Sequence, residues 1–230
     1  MSNSIYYHFL SSRNAIHDLE RQMIKVSLID TLDDPFELMP YLRKMDREHR
    51  KLYYDVRKNV SKKYGLLCFS KNWNEPLLWG HYADKHKGVA LGFAISKYRI
   101  IEVDYQPKRI KLELKDNPKH NETAFLIELV RTKYHNWKYE NEIRILVSLK
   151  DCIKLGGHFF INFDDNLSLK EIILGCKFDN NEEYILKLSQ KLNAKVIPSR
   201  MAFGEYSIIK HGSKSNKFQK ILNSMIPAIS

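Results

Sequence analysis

The stretch that decides the fold is GLLCFSKNWNEPLLWGHYADKHKGVALGF, residues 65–93. Its apolar run at 66–69 follows a glycine and has the length of a buried strand. A proline opens the segment 76–86, in which large side chains recur at helical spacing. Gly88 is expected to end that helix in a left-handed cap, and residues 89–93 form a second apolar strand. The stretch therefore predicts a strand, a helix and a strand rich in aromatic and histidine side chains.

The segments on either side alternate between the two kinds of secondary structure. Alternating or continuous apolar runs predict strands at 5–10, 24–29, 98–105, 143–149, 158–163 and 169–174. Apolar residues three or four apart predict helices over 38–64, 122–134 and 182–192. The sequence has no internal repeat and no linker long enough to divide it. We therefore expect a mixed α+β protein that forms a single domain over residues 1–230, with a strand-rich core.

The composition limits the classes of protein to which this chain could belong. The 230 residues are 43% hydrophobic, which is enough for a packed core, and the formal net charge is +11. No apolar run approaches the roughly 20 residues of a membrane helix, and the N-terminus lacks the features of a signal peptide. The three cysteines are far apart, which fits neither a disulfide framework nor a metal site. These features predict a cytoplasmic protein with no membrane partner.

The predicted helix over 38–64 concentrates the positive charge, with nine basic residues against three acidic ones. One interpretation is a solvated face with helical ion pairs. The other is a surface that contacts the phosphates of RNA or DNA, with Tyr53 and Tyr54 available for stacking. The residues that would bind nucleic acid in the second case are Arg43, Lys44, Arg47, Arg50 and Lys51.

Several enzyme classes lack their motifs here. The sequence contains no phosphate-binding GxxxxGK[ST] or GxGxxG loop, no GxSxG and no HExxH. Its nine histidines are scattered, so no metal site is predicted. One remaining hypothesis, a metal-dependent nuclease, would use Asp33, Asp34, Glu37 and the glutamate pair described next.

Glu140 and Glu142 stand two residues apart at the entry to a predicted strand. In an extended chain both would point to one side, where their repulsion would raise the pKa of one of them. Such a pair can act as acid and base or can stabilise a cationic transition state. The alternative is a solvated strand edge at which Lys138 and Arg144 neutralise both charges.

Four motifs in order identify a family resemblance. They are an early YHF, the DDPFE turn, CFS followed by LLWGHYADKHKGVALGF, and WKYENEIRIL. Together they span residues 6–174 and are similar to the bacterial family of unknown function DUF2971. That family carries no assigned activity.

The same series more distantly resembles the ADP-ribosyltransferase fold of the His-Tyr-Glu type, a split β-sheet core with flanking helices. The resemblance implies that NAD is bound as the substrate. It would make His8 the ribose ligand and Glu142 the carboxylate that stabilises the cationic ribose, with Glu140 positioning the nucleophile. Phe69 and Ser70 would line the nicotinamide pocket and Tyr82 would stack on the nicotinamide ring. Trp79 would be a further NAD-binding residue.

The resemblance therefore implies an enzyme that transfers ADP-ribose from NAD to a macromolecular acceptor such as RNA or DNA. A bacterial enzyme of this kind would be a toxin or an anti-phage effector, held in check by an antitoxin or immunity protein. A second hypothesis is a module of the same fold that binds nucleic acid or protein without catalysis, through the basic helix. The nuclease is the third, and its activity would depend on Mg²⁺.

Overall fold

A computed structural model describes residues 4–32, 34, 36–38, 47–96, 98, 100–109, 122–179 and 181–225. The chain is mixed α+β, with a large mixed sheet and several helices, as the sequence predicts. The first half of the chain contains β1 (Ile5–Leu10), α1 (Ser12–Arg21), β2 (Met23–Leu28), α2 (Arg47–Lys63), β3 (Tyr64–Ser70), α3 (Pro76–Tyr82), β4 (Val89–Ile95), β5 (Ile100–Glu102) and β6 (Asp104–Gln106). The second half contains α4 (Glu122–Arg131), β7 (Thr132–Tyr134), β8 (Glu142–Ser148), β9 (Ile153–Leu155), β10 (His158–Asn162), β11 (Leu167–Leu174), α5 (Glu182–Lys191), β12 (Lys195–Met201), β13 (Ile208–Lys210) and α6 (Gly212–Met225). No helix among the described residues is long and apolar enough to cross a membrane.

The chain divides into two compact units that each combine separate segments. The first unit contains Met1–Ile24, Phe69–Lys97 and Asn162–Ser230, and the second contains Lys25–Cys68 and Tyr98–Ile161. The assignment of residues 1–230 to a single domain stays a prediction.

The first unit is built on β4, which lies between β1 and β11. Its side chains are buried from Val89 to Ala94 because both faces of this strand are covered. β1 and β11 are antiparallel to β4, whereas β12 runs parallel to β11 and is followed by β13. At the other edge of β1, Tyr7 pairs with Ser70 at the end of β3.

Two glycines of the first unit let its backbone segments approach closely. A Cβ atom on Gly88 would lie 2.1 Å from the carbonyl oxygen of Leu10. One on Gly175 would lie 2.2 Å from the carbonyl oxygen of His86. The Gly175 amide donates to the Gly88 carbonyl at 3.0 Å, so the two close approaches belong to one backbone junction.

The second unit surrounds a second apolar core. β3 pairs with β2 and with β8, and β8 pairs with β5. β6 and β7 form a parallel pair, and β9 and β10 an antiparallel one. Helices α2 and α4 cover the core, whose buried members are Ile29, Leu38, Val60, Leu66, Ile101, Leu126, Leu129 and Val130.

Three predicted helices differ from the observed ones. The long helix predicted over 38–64 is α2, Arg47–Lys63: Leu38 lies in a turn with φ 57°, and Tyr64 already belongs to β3. The helix predicted over 122–134 ends at Arg131, after which residues 132–134 form β7. The helix ends because residues 132–134 pair with β6. Strand pairing is a long-range interaction, so the periodicity of the local sequence does not reveal it.

The predicted helix over 76–86 ends at Tyr82, and Gly88 is not its cap. The chain turns instead through Asp84, Lys85 and His86, whose φ angles of 45°, 53° and 72° are left-handed. Gly88 lies outside that region and is needed for the close approach to Leu10.

This arrangement predicts opposite effects of alanine at two glycines 8 positions apart in the sequence. Gly88→Ala should lower the free energy of unfolding by about 2 kcal/mol, because its methyl group overlaps a backbone carbonyl. Gly80→Ala should raise it by about 0.5–1 kcal/mol, because Gly80 lies within α3 with nothing near its missing Cβ. Urea midpoints followed by far-ultraviolet circular dichroism measure both. A Gly88→Ala midpoint as high as that of Gly80→Ala would contradict the proposed role of the junction.

Candidate functional site

The second unit buries five charged side chains in one group, which we call the carboxylate cluster. It contains Glu37 from a turn, Lys133 from β7, Glu140 from the end of a 3₁₀ turn, and Glu142 and Arg144 from β8. Each of the five is at most 8% exposed. Buried charges are stable only when they are paired, so the contacts within the cluster decide its chemistry.

The guanidinium of Arg144 uses all five of its N–H groups. It donates to both carboxylate oxygens of Glu37, at 3.0 and 2.7 Å, and to both oxygens of Glu142, at 2.9 Å each. The remaining donor reaches the carbonyl oxygen of Val130 at 2.7 Å. Two carboxylates are therefore held in fixed orientations by one planar cation.

The ammonium group of Lys133 contacts all three carboxylates. Its Nζ lies 3.1 Å from Glu142 Oε2 and 3.3 Å from Glu37 Oε1, and it also donates to Glu140. These three negative charges raise the pKa of Lys133 despite the burial that acts to lower it, so the ammonium stays protonated. Three carboxylates and two cations leave the cluster with a formal charge of −1.

Glu142 is the most constrained carboxylate of the cluster. Burial alone would raise its pKa, but the charges of Arg144 and Lys133 prevail and lower that pKa to about 2. Its backbone N–H donates to the hydroxyl of Tyr105 at 2.8 Å, which fixes the start of β8. Burial raises the pKa of Tyr105 to about 12, so this hydroxyl stays neutral at ordinary pH.

These contacts correct two expectations about the glutamate pair. Asn141 has a left-handed φ of 44°, so Glu140 and Glu142 do not lie in one extended segment. The pKa of Glu142 is lowered because cations surround it, so Glu142 is not the member of the pair with a raised pKa. Arg144 is one of them, as predicted, but Lys133 takes the place expected for the exposed Lys138. Nothing in the sequence marked Lys133, which lies nine positions before Glu142.

The metal-dependent nuclease would need its carboxylates around a cation. Glu37, Glu140 and Glu142 do converge, but on the ammonium of Lys133. Across the residues that the structure describes, no group of three histidine, cysteine or acidic side chains is arranged to hold a metal ion. The Asp34 carboxylate accepts a hydrogen bond from the Phe36 amide at 2.8 Å, which is the turn contact that the sequence suggests. Asp33 lies outside the described residues.

The predicted NAD-binding residues lie in the first unit. His8 and Phe69 are brought together, with ring centroids 5.7 Å apart. Successive side chains of a strand point to opposite faces, and Tyr7 pairs with Ser70. His8 and Phe69 therefore share one face of the strands, whereas Ser70 lies on the other.

The two predicted residues of α3 differ in exposure. Trp79 is fully buried, packs edge-on against Phe9 at 5.1 Å and donates Nε1 to the carbonyl oxygen of Trp73 at 2.6 Å. Tyr82 is half-buried and lies 6.1 Å from the His81 ring. Trp79 thus belongs to the core of the first unit, while Tyr82 keeps part of its ring accessible.

Sequence analysis missed a polar pair beside Ser70. The hydroxyl of Tyr7 donates to Glu171 Oε2 at 2.9 Å across Gly92 of β4, where a Cβ would lie 3.0 Å from the Tyr7 ring. Burial and this carboxylate raise the pKa of Tyr7. The partners are 164 positions apart, so only the observed strand order could reveal them.

The predicted nucleic-acid residues are described only in part. Arg43 and Lys44 lie outside the described residues, and Arg47 and Arg50 lie in α2. Lys51 is exposed on the same helix.

The low pKa of Glu142 predicts acid sensitivity. The unfolded state binds a proton at higher pH than the folded state, so stability is full above about pH 5 and falls as pH drops toward 2. The contribution is on the order of 3 kcal/mol. Urea unfolding between pH 6 and 3 should show this slope for wild type and for Glu102→Gln, an exposed glutamate of β5 beside β8. Glu142→Gln should give a flatter profile, and a slope equal to wild type would contradict the assignment.

Comparison with models of known protein families gives a match to part of the chain. A family model described as "Protein of unknown function (DUF2971)" matches residues 78–145. No curated protein and no solved structure matches the chain. The matched segment begins in α3 and ends in β8, and so includes Lys133, Glu140, Glu142 and Arg144. Over these residues the chain is similar to DUF2971, as the sequence motifs predicted.

Proposed function

We propose that the protein is an ADP-ribosyltransferase-like enzyme that cleaves NAD and transfers ADP-ribose to a macromolecular acceptor such as a nucleic acid. The observation that carries the proposal is the carboxylate of Glu142, which is ionised, buried and immobilised by Arg144, Lys133 and Tyr105. The proposal includes an ADP-ribosyltransferase-like sheet as the fold class. It also takes NAD as a substrate that is consumed.

The chemistry requires a fixed negative charge. When the bond between ribose and nicotinamide breaks, nicotinamide leaves with the bonding electrons and the ribose becomes cationic. A preorganised anion stabilises that cation without having to reorient during the reaction. The cluster has a formal charge of −1, and the low pKa of Glu142 keeps its carboxylate ionised across the physiological range.

Two cations of the cluster act through Glu142, whereas Glu140 takes part directly. Arg144 and Lys133 fix the orientation of its carboxylate and are positioning residues. In the proposed reaction the acceptor atom bonds to the ribose carbon that nicotinamide has left, and the proton of that atom passes to Glu140. Because Glu140 shares Lys133 with Glu142, the two carboxylates are held close enough to serve one reaction.

In the proposed function, residues of β1, β3 and α3 would bind NAD. His8 would hold the ribose and Phe69 would contact the nicotinamide, since their rings share one face. The half-buried Tyr82 would stack on that ring, which an aromatic face favours. Ser70 and Trp79 support the strands behind them: Ser70 accepts the Asn72 amide at 3.3 Å, and Trp79 packs on Phe9.

The proposal extends to a biological role as a bacterial toxin or anti-phage effector that acts in the cytoplasm. An antitoxin or immunity protein would then be its inhibitory partner. This step is supported by the type of chemistry, because irreversible modification of a shared macromolecule must be restrained in the cell that makes the enzyme.

The first test is nicotinamide release from NAD by purified protein, with total bacterial RNA, DNA or protein added in turn. Glu142→Gln should lower the rate by at least about a hundredfold, because the transition-state charge loses its partner. Glu102→Gln should keep the wild-type rate. His8→Ala should raise the KM for NAD. Wild-type release by a folded Glu142→Gln protein would overturn the proposal.

A second candidate function is nucleic-acid binding without catalysis, which α2 favours. Lys51, Tyr54, Lys58 and Lys62 are all exposed and follow one another at spacings of three and four. That spacing places them along one face of the helix, so three ammonium groups and an aromatic ring form a continuous stripe. A stripe of this kind can contact phosphates and stack on a base.

Neutralising the stripe tests this candidate. Lys51→Gln, Lys58→Gln and Lys62→Gln together should weaken RNA binding and lower the slope of log Kd against log salt by about 2, since each phosphate contact on a single strand contributes about 0.7. The matched control removes the same charge from exposed lysines at and beyond α5, with Lys187→Gln, Lys191→Gln and Lys195→Gln. Equal losses in the two triple variants would leave only net charge as the cause and would refute the stripe. Binding that is independent of Glu142, in a protein without NAD cleavage, would favour this function over the enzyme.

A further inference from the structure

The turn between β12 and β13 carries two aromatic side chains that stand almost fully in solvent. Phe203 is 99% exposed and Tyr206 is 101% exposed, and Met201 beside them is 63% exposed. The buried aromatic rings of this unit, by contrast, pack on one another, as Phe69 and Phe93 do with ring centroids 5.9 Å apart. A folded chain gains little stability from rings that contact so little, so their exposure suggests a surface that binds a partner.

Hydrogen bonds hold this turn in one conformation. The Ala202 amide donates to the Ser207 carbonyl at 2.9 Å, and the Ser207 amide donates to the Glu205 carbonyl at 3.0 Å. At its base the Ile208 amide donates to the carbonyl of Asn74 at 2.8 Å. The two rings are therefore presented on an ordered backbone, which lowers the entropy lost when a partner binds.

The charges around the turn favour an anion with flat rings. The guanidinium of Arg200 lies 5.2 Å above the centroid of Phe203, and its Nη1 donates to the Met201 carbonyl at 2.9 Å. Lys210 is exposed on β13, and the turn itself contains one acidic residue, Glu205. Guanidinium groups and aromatic faces are the groups on which nucleic-acid bases stack. The net charge of +11 attracts the same class of partner.

We propose that this turn is a stacking platform for the unpaired bases of a single-stranded nucleic acid. Phe203 and Tyr206 would each stack on a base, and Arg200 would neutralise a neighbouring phosphate. A duplex binds poorly because its bases are already stacked inside the helix. The claim that this nucleic acid is the acceptor of ADP-ribose rests on the proposed transferase function. Binding of the nucleic acid to the turn requires neither NAD nor Glu142.

The platform is joined to residues that the proposed function uses. Asn74, which accepts the hydrogen bond from Ile208, lies four positions after Ser70. Ser70 in turn follows Phe69, the proposed nicotinamide contact, and all of these residues belong to the first unit. A nucleic-acid strand stacked on the turn would therefore lie on a backbone that is hydrogen-bonded to the loop after β3.

The test is anisotropy of a fluorescein-labelled 12-nucleotide single-stranded RNA without NAD. Wild type should bind it with a Kd between about 1 and 100 μM and should bind the matching duplex more weakly. Phe203→Leu and Tyr206→Leu keep apolar area but remove the flat ring, and each should weaken binding roughly tenfold. The control is Phe36→Leu with Tyr134→Leu, which removes a half-exposed phenylalanine and tyrosine of the other unit, the former also under an arginine at 5.2 Å. This double variant should bind like wild type.

A photo-crosslink locates the contact independently. The same RNA carrying 4-thiouridine should attach to residues 201–210, which trypsin releases as one peptide because it cleaves after Arg200 and after Lys210. Unchanged affinity in both leucine variants, or cross-links confined to other peptides, would overturn the proposal. Leucine variants that bind RNA normally but lose self-association by sedimentation would assign the turn to an interface between two copies instead. Loss of nicotinamide release with intact RNA binding would refute the transferase and leave the platform standing.

Discussion

The structure of the second unit depends on one buried cation, all of whose donors must find hydrogen-bond acceptors. Arg144 is 1% exposed, and removing a guanidinium from water costs several kcal/mol unless its donors find partners. Glu37, Glu142 and the Val130 carbonyl occupy all five donors, so a turn, a strand and the end of α4 must meet at this point. The local geometry of the unit follows from that requirement more than from any helix or strand propensity.

The same requirement separates the cluster from the surface charges. Arg131 lies 3.7 Å from Asp104, but both side chains are well exposed, and such pairs contribute little in water. Within the cluster water is excluded, so the charges interact strongly and the pKa of Glu142 responds to them. A carboxylate that is costly to protonate is also one whose charge is constant, which is the property that stabilisation of a cation demands. Structure and proposed chemistry therefore depend on the same hydrogen bonds.

Sequence analysis predicted the local features of the fold well. The strand at 5–10 matches β1, and β3, β4, β8 and β11 lie where apolar runs predicted them, because burial of a strand leaves a signal in its own residues. Sequence analysis failed where contacts between distant segments determine the structure. Lys133 approaches Glu142 only because β7 turns back toward β8, and Tyr7 meets Glu171 only because β4 separates their strands by one position. The left-handed turn at 84–86 was not predicted for a related reason, because it belongs to a backbone junction with Gly175.

The distribution of charge follows the same division between inside and outside. The cluster buries a formal charge of −1, while the chain as a whole carries +11, so the described lysines and arginines outside the cluster provide a largely positive surface. An extended polyanion is attracted to such a surface at long range, and the attraction falls as salt screens it. At short range, a cationic group is stabilised by the negative charge of the cluster, in buried surroundings that dissolved salt does not enter. In the proposed function one chain would attract an anionic partner and favour a cationic transition state, because the two interactions act at different distances and in different dielectric surroundings.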